Sequence, residues 1–263
     1  MHEVNVIIAT KNRAHYLKER SIPSVFKQST NPHRLIVVSD YVDVDSLVES
    51  LIYEGTAKRN IEASILQNTR SPGLSGALNT GIEYLVKQSA TGYVAILDDD
   101  DEWDKDHIDS NMANISKYNL SISGLRLSIN GHIKPRPLLS SLCDHAFLVG
   151  NPGWQGSNTF IELNHLVRVG GYREELMSLT DRDLAIRVLR NSATQWRLIP
   201  RWTATWHADT PGSLSSTGST AKLEGLRVFW NMYKKDMNDD DRHLYFRRAK
   251  LLFGIDERDV RLS

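Results

Sequence analysis

The chain has 263 residues, with 32 basic and 32 acidic side chains and nine histidines outside that balance. Such a length fits one large domain or two small ones and can bury a sizeable core, while the even charge leaves no electrostatic footprint for nucleic acid. The single cysteine, Cys143, excludes an intramolecular disulfide framework and fits a reducing compartment as a buried, inert thiol.

No stretch approaches the roughly 20 apolar residues needed to span a bilayer. The opening MHEVNVIIAT has neither a basic n-region nor a small-residue cleavage site. It reads as a first strand and not a signal peptide, so the expected location is the cytoplasm.

Val4 to Ala9 is a β-rich apolar run that stops at TKNR. A helix-like stretch follows from about Ala14 to Gln28, with Pro23 marking a kink or a restart. Arg34 to Ser39 reads as a second strand ended by Asp40, Asp45 to Tyr53 as a helix, and Glu62 to Gln67 as a third strand. After the loop NTRSPGLSG, Ser75 to Lys87 is helical and Tyr93 to Leu97 is a fourth strand. Strands alternating with helices predict an α/β fold with a mostly parallel, Rossmann-type sheet flanked by helices. Such sheets bind ligands at the carboxyl ends of their strands, and Thr10, Asp40, Asn68 and Asp98 all fall on that edge.

Further on, Asp106 to Tyr118 reads as helical, and Leu120 to Ile129 with HIKPRP as a hairpin turning at Asn130-Gly131. Ser140 to Val149 is expected to be helical, GNPGWQGSN a loop, Thr159 to Glu162 a strand and His165 to Val169 a short helix. Thr180 to Asn191 is an amphipathic helix, and His207 ends a strand before a loop rich in Gly, Ser and Thr. Two helices, about Lys222 to Lys235 and Asp239 to Phe253, form a helical C-terminal tail. No linker separates independent domains. The reading is one domain in two halves, 1–104 and 105–215, followed by the tail at 216–263.

AILDDDDEW ends the fourth strand in a row of acids, which repel and raise one another's pKa unless a cation sits among them. At a buried strand edge the row suits a hard cation, magnesium or manganese, with phosphate oxygens completing the shell. Asp40 could accept from a base edge or serve a turn. The small residues of SPGLSGALN, Gly73 and Ser75 among them, let backbone approach a ligand at a helix N-terminus, although no Walker motif is present. Asp181 and Asp183 open their helix where its dipole favours acids, and His207 is a candidate second metal ligand.

In this order the motifs resemble the inverting glycosyltransferases of family 2, with the GT-A fold, over about residues 4 to 210. The carriers are VIIATKNR, IVVSD, GLSGALNTGI, AILDDDDEW, and VGGYREEL with TDRDLAIRVL. The resemblance implies that Thr10, Asp40 and Arg70 contact the nucleotide, Asn12 lying in the same TKNR turn, with Asp40 on the base, most often uracil. It also implies that Asp98 and Asp99 lie along the ribose and diphosphate, that Asp100 binds the divalent metal with His207 as a second ligand, and that Asp181 is the general base. Asp101 would cap the following turn, and without the donor's cation the acid row should be repulsive and mobile. Trp154 and Gln155 are expected to line the acceptor side, because an exposed tryptophan suits a sugar face.

The sequence departs from the family pattern at Tyr41-Val42, at Leu78 where an arginine is usual, and at Thr180 in place of a glutamate. It also lacks a Gln-x-x-Arg-Trp motif, which argues against a processive polysaccharide synthase. The implied partners are a nucleotide-sugar donor, UDP-linked by preference, and a glycan, lipid-linked or small-molecule acceptor. Rival readings are a nucleotidyltransferase making activated sugars, which would want glycine in TKNR, and a non-catalytic carbohydrate- or calcium-binding module, which would not require Asp181. The aromatic, basic-fringed tail is expected to pack on the core or a homodimer partner; peripheral contact with the inner face of the membrane is the sharper alternative.

Overall fold

The computed structural model describes residues 2–211 and 219–261. The expected Gly-, Ser- and Thr-rich loop after His207 falls mostly on residues 212–218, as does the expected 215/216 boundary; both lie outside the described residues. β1 (Val4–Thr10) is buried along its whole length. The helical stretch after it runs as α1 (Ala14–Tyr16), a π-helical turn Leu17–Ser21, and α2 (Ile22–Phe26). Pro23 stands in the first turn of α2, where its missing N–H needs no partner, so it restarts the helix.

β2 (Arg34–Ser39), α3 (Ser46–Ala57), β3 (Glu62–Gln67), α4 (Leu74–Lys87) and β4 (Tyr93–Ile96) follow the expected alternation. Asp45 caps α3 by accepting the N–H groups of Leu47 and Val48. The chain continues with β5 (Glu102–Trp103), α5 (His107–Met112), β6 (Leu120–Ile129), β7 (His132–Pro135), α6 (Asp144–Val149), β8 (Thr159–Glu162), α7 (Leu163–Arg168), α8 (Thr180–Arg190) and β9 (Trp196–His207). The chain closes with α9 (Thr220–Tyr233), α10 (Asp239–Phe253) and α11 (Glu257–Arg261). Neither the two-residue β5 nor α11 was expected from sequence. The helix expected to reach Tyr118 breaks at Asn114, whose left-handed φ of 56° ends α5 before a short 3₁₀ turn.

One mixed sheet runs in the order β3-β2-β1-β4-β8-β6-β9-β5, with β7 paired to β6. β3, β2, β1 and β4 are mutually parallel, and β8 then joins β4 antiparallel. Alternation along the strands feeds two cores. Ile7, Ile36, Val38, Val94 and Ile96 face α4, α8 and the tail helices, while Val6, Ile8, Leu35, Val37 and Ala95 face the α1–α3 side. Burial on both faces explains why these strands read as unbroken apolar runs.

The tail packs on the first core through Phe229, Trp230, Tyr233, Tyr245 and Phe246, so its aromatics face inward. Cys143, expected to be buried, is exposed: it precedes α6 in extended backbone while its neighbour Leu142 takes the core position. No helix among the described residues is long and apolar enough to cross a membrane.

Candidate active site

Parallel pairing brings the ends of β1 to β4 to one edge, so Lys11 to Arg13, Asp40, Asn68 and Asp98 to Asp101 gather there. Asp40 is buried and braces this edge. Its Oδ1 accepts Asn68 Nδ2 at 2.8 Å and the Gly73 N–H at 2.9 Å, and its Oδ2 accepts Lys11 Nζ at 2.9 Å. Burial would raise this carboxyl, but the Gly73 N–H, Asn68 and Lys11 together hold it below its ordinary value. Gly73 presents that N–H with φ at 116°, a conformation L side chains rarely adopt. Ser75, one residue into α4, is buried and its hydroxyl has no hydrogen-bond partner among the described residues.

The acid row is not uncompensated. Arg13 Nη1 lies 2.9 Å from Asp99 Oδ1 and Nη2 lies 2.5 Å from Asp100 Oδ2, while Thr10 Oγ1 donates to Asp99 Oδ2 at 2.7 Å. Arg20 adds a hydrogen bond to the Asp100 carbonyl at 3.0 Å. The chain thus places a cation of its own where one was expected only with the donor, and repulsion among the acids persists beside it. One guanidinium does not neutralise four carboxylates. Burial, only partly offset by Arg13, still pushes Asp99 up to about 6. Burial and the neighbouring Asp100 push Asp101 up to about 8.

Asp101 does not merely cap a local turn. Its Oδ2 accepts Ser157 Oγ at 2.5 Å and its Oδ1 accepts the His207 N–H at 2.9 Å, tying the row to the end of β9. The His207 ring lies 3.2 Å from Glu102 Oε1, a contact that holds Glu102 below its ordinary pKa. Among the described residues no three His, Cys, Asp or Glu side chains form a metal cage. The donor set nevertheless fits a magnesium- or manganese-sized ion: hard oxygens, an excess of negative charge, and an Asp100 Oδ1 that takes no hydrogen bond among the described residues.

GNPGWQGSN serves this site differently from the expectation. Trp154 is fully buried, donates its indole N–H to Thr159 Oγ1 at 2.7 Å and meets Phe147 edge-on, so it presents no face to a sugar. A tryptophan in a glycine-rich loop gives no sign of which way it points, and here the core takes it. The loop reaches the acids through Ser157, which also accepts the Asp98 N–H at 3.1 Å, and through Gly156. A Cβ at Gly156 would stand 2.8 Å from Asp98 Oδ1, so only glycine fits without a shift. Gln155 is partly buried beside it.

Asp181 and Asp183, both in the first turn of α8, have opposite environments. Asp183 is fully buried and saturated by Arg187 Nε at 2.8 Å and Tyr233 Oη at 2.6 Å. The Asp181 carboxylate has no hydrogen bond among the described residues. Burial pushes it up to about 7, against the pull of Lys222 from α9. Burial, then Asp101, then Asp181 raise Asp98 well above its ordinary value. Tyr172 is buried in the field of Asp181 and Asp98, and its hydroxyl has no partner among the described residues.

Arg70 is committed to Glu174 at 2.5 Å and Glu83 at 3.2 Å instead of standing free. Burial would raise Glu174, but Asn79, Arg70 and Ser71 hold it down to about 2. Asn12 is exposed in the left-handed region at φ 54°. Sequence reading missed Arg13, Lys222, Tyr172, Ser157 and Glu174 as site residues. Arg13 ended a quoted motif and Tyr172 sat within another, whereas nothing local marks Lys222 in the tail.

A family model, Glycosyl transferase family 2, matches residues 5–190. No curated protein matches the chain. Among solved structures, S. aureus TarS 1-349 in complex with UDP-GlcNAc superposes at a TM-score of 0.66 and 17% identity, covering 99% of this chain and 76% of that one. The mannosyltransferase PcManGT from Pyrobaculum calidifontis, in complex with GDP-Man and Mn2+, gives 0.61 at 14% identity, covering 95% and 70%. GalNAc-T7 with UDP, GalNAc and Mn2+ gives 0.62 at 16%, covering 95% and 51%. At such identities the likeness carries the fold, a GT-A sheet flanked by helices. The family match spans most of the chain over that fold, and the chain belongs to glycosyl transferase family 2 and is a glycosyltransferase.

Proposed function

We propose that this glycosyltransferase moves a sugar, with inversion, from a nucleoside diphosphate donor to an acceptor hydroxyl, with Asp181 as general base and a divalent cation at Asp100. UDP-sugars are the favoured donors, and residues 1–104 form the donor half against an acceptor half at 105–215. The observation that carries the reading is a pair of carboxylates close enough for Asp181 to raise Asp98, yet unlike in their surroundings. Asp98 belongs to the crowded row, while Asp181 stands alone, without a hydrogen bond among the described residues and poised at about 7.

Single displacement needs that division. The departing diphosphate gains negative charge, which a bound divalent cation stabilises as a Lewis acid when present. On the opposite face a base must take the acceptor's proton. A carboxylate with a pKa near 7 is ionised often enough to act and basic enough to be effective. His207, held on Glu102, is the second candidate ligand. Thr10, Asp99 and the α4 N-terminus around Gly73 and Ser75 would meet the nucleotide. Asp40 would orient the base edge through the groups it braces, and Asn12 and Arg70 would flank it. Gln155 would face the acceptor, a glycan, lipid-linked or small molecule. A homodimer or membrane contact through the tail would use the exposed Leu244, Leu251 and Leu252 of α10, since the aromatics of α9 are buried.

A melting-temperature screen of UDP- and GDP-sugars with manganese tests the donor and metal assignments together. The midpoint should rise with one donor class and return on adding EDTA. An EDTA-insensitive shift would remove the metal. Asp181→Ala should keep the shift and lose transfer; full turnover would remove Asp181 as the base.

A further inference from the structure

Arg13 occupies the position where the metal reading needs a cation. Its two terminal nitrogens hold Asp99 at 2.9 Å and Asp100 at 2.5 Å, bridging neighbouring carboxylates. The clamp is incomplete: Arg13 Nε is buried and has no hydrogen-bond partner among the described residues. The residue belongs to no regular element, standing between the left-handed Asn12 and the three-residue α1. Turning its guanidinium therefore requires side-chain torsions and leaves every helix and strand intact. The Tyr16 ring lies 5.2 Å from the guanidinium carbon, and Arg20 lies 4.8 Å from the same ring. Arg20 grips the Asp100 carbonyl and Thr210 Oγ1, so the backbone of the row stays held if Arg13 leaves.

We propose that Arg13 competes with the divalent cation for Asp99 and Asp100, so that metal enters productively only together with a nucleoside diphosphate, which takes over the guanidinium. A dication at Asp100 and a guanidinium on the same carboxylate repel each other in a poorly screened site. A diphosphate reverses the balance. It brings several negative charges, ligates the metal through its own oxygens and offers the planar fork a bidentate partner. The arginine then changes from a competitor of the metal into a ligand of the donor. Binding is thereby ordered: the nucleotide raises metal affinity, and by linkage the metal raises nucleotide affinity by the same factor. The inference rests on Asp100 as the metal ligand of the proposed function.

The test is manganese binding by the full chain, read from the free-ion paramagnetic resonance signal, with and without UDP or GDP. Wild type should bind manganese weakly alone and about tenfold or more tightly with one of the diphosphates. Arg13→Gln should bind manganese alone about tenfold more tightly than wild type, and the enhancement by diphosphate should shrink correspondingly. Circular dichroism establishes that the variant is folded. If it is not, Arg13→Lys keeps the charge without the bridging fork and should gain about threefold. Manganese affinity within twofold of wild type in the folded variant overturns the proposal, while diphosphate-dependent metal binding in wild type keeps the metal assignment. No manganese binding by wild type with either diphosphate sinks both the metal assignment and this inference.

Discussion

Tyr233, in the last turn of α9, donates its hydroxyl to Asp183 Oδ1 at 2.6 Å, fastening the tail to the helix that carries Asp181. With Arg187 on the other oxygen, Asp183 forms a buried charged cluster, and removing its charge strands those partners. Asp183→Asn should lower stability by about 3 kcal/mol, measured by urea denaturation. Asp181→Asn should act in the opposite way. It removes a carboxylate that burial disfavours, so stability holds or rises, while turnover falls on the order of 10²- to 10⁴-fold.

The pH profile of transfer carries the same signature. A general base works deprotonated, so kcat should climb through the Asp181 value of about 7 and flatten above it. Lys222 pulls that value down, and burial has already lowered Lys222 itself to about 8. Lys222→Met removes the positive charge and should move the acidic limb to higher pH, on the order of one unit. An unmoved limb would show that Lys222 does not act on the base.

Tyr172 offers a separation of stability from activity. Its buried hydroxyl has no partner among the described residues, and leaving such a group unpaired costs about 1–3 kcal/mol. Tyr172→Phe should therefore melt at or above the wild-type temperature. If a sugar hydroxyl is the missing partner, kcat/KM should drop about tenfold or more in the same variant. A lower melting temperature with unchanged kcat/KM would give the hydroxyl a structural role instead.

Ser157 and Trp154 exchange the importance their sequence assigns them. Ser157→Ala removes contacts to both Asp98 and Asp101, so transfer should fall steeply with a stability loss of about 1–3 kcal/mol. Trp154→Phe should lower stability but leave the acceptor KM unchanged. An acceptor KM that responds to Trp154→Phe would reinstate it at the acceptor side.

What could be read from the sequence follows the range of the interactions involved. A strand buried on both faces announces itself as an apolar run, and Arg34–Ser39 matched residue for residue, as did the half-buried edge strand Glu62–Gln67. β5 did not, because two residues joined to β9 only by tertiary pairing have no periodicity to detect. The acids were visible as a row, but their counter-ion was not. Arg13 reaches Asp99 across 86 positions, and no local pattern encodes that pairing. Trp154 was misplaced for a related reason, since direction in an irregular loop is decided by the core that receives it.

The central parallel strands also constrain how the protein folds. Val4 pairs with Tyr93 and Asn5 with Arg34, so each central ladder closes a long stretch of chain before it gains its hydrogen bonds. Such closures are slow because the entropy of the loop is lost before the contact repays it. Until β1 docks, Arg13 is far from the aspartates it will clamp, and the row meets only its own repulsion. Salt screens that repulsion. Refolding should accordingly quicken at moderate ionic strength, and neutralising one aspartate of the row should produce the same acceleration without salt.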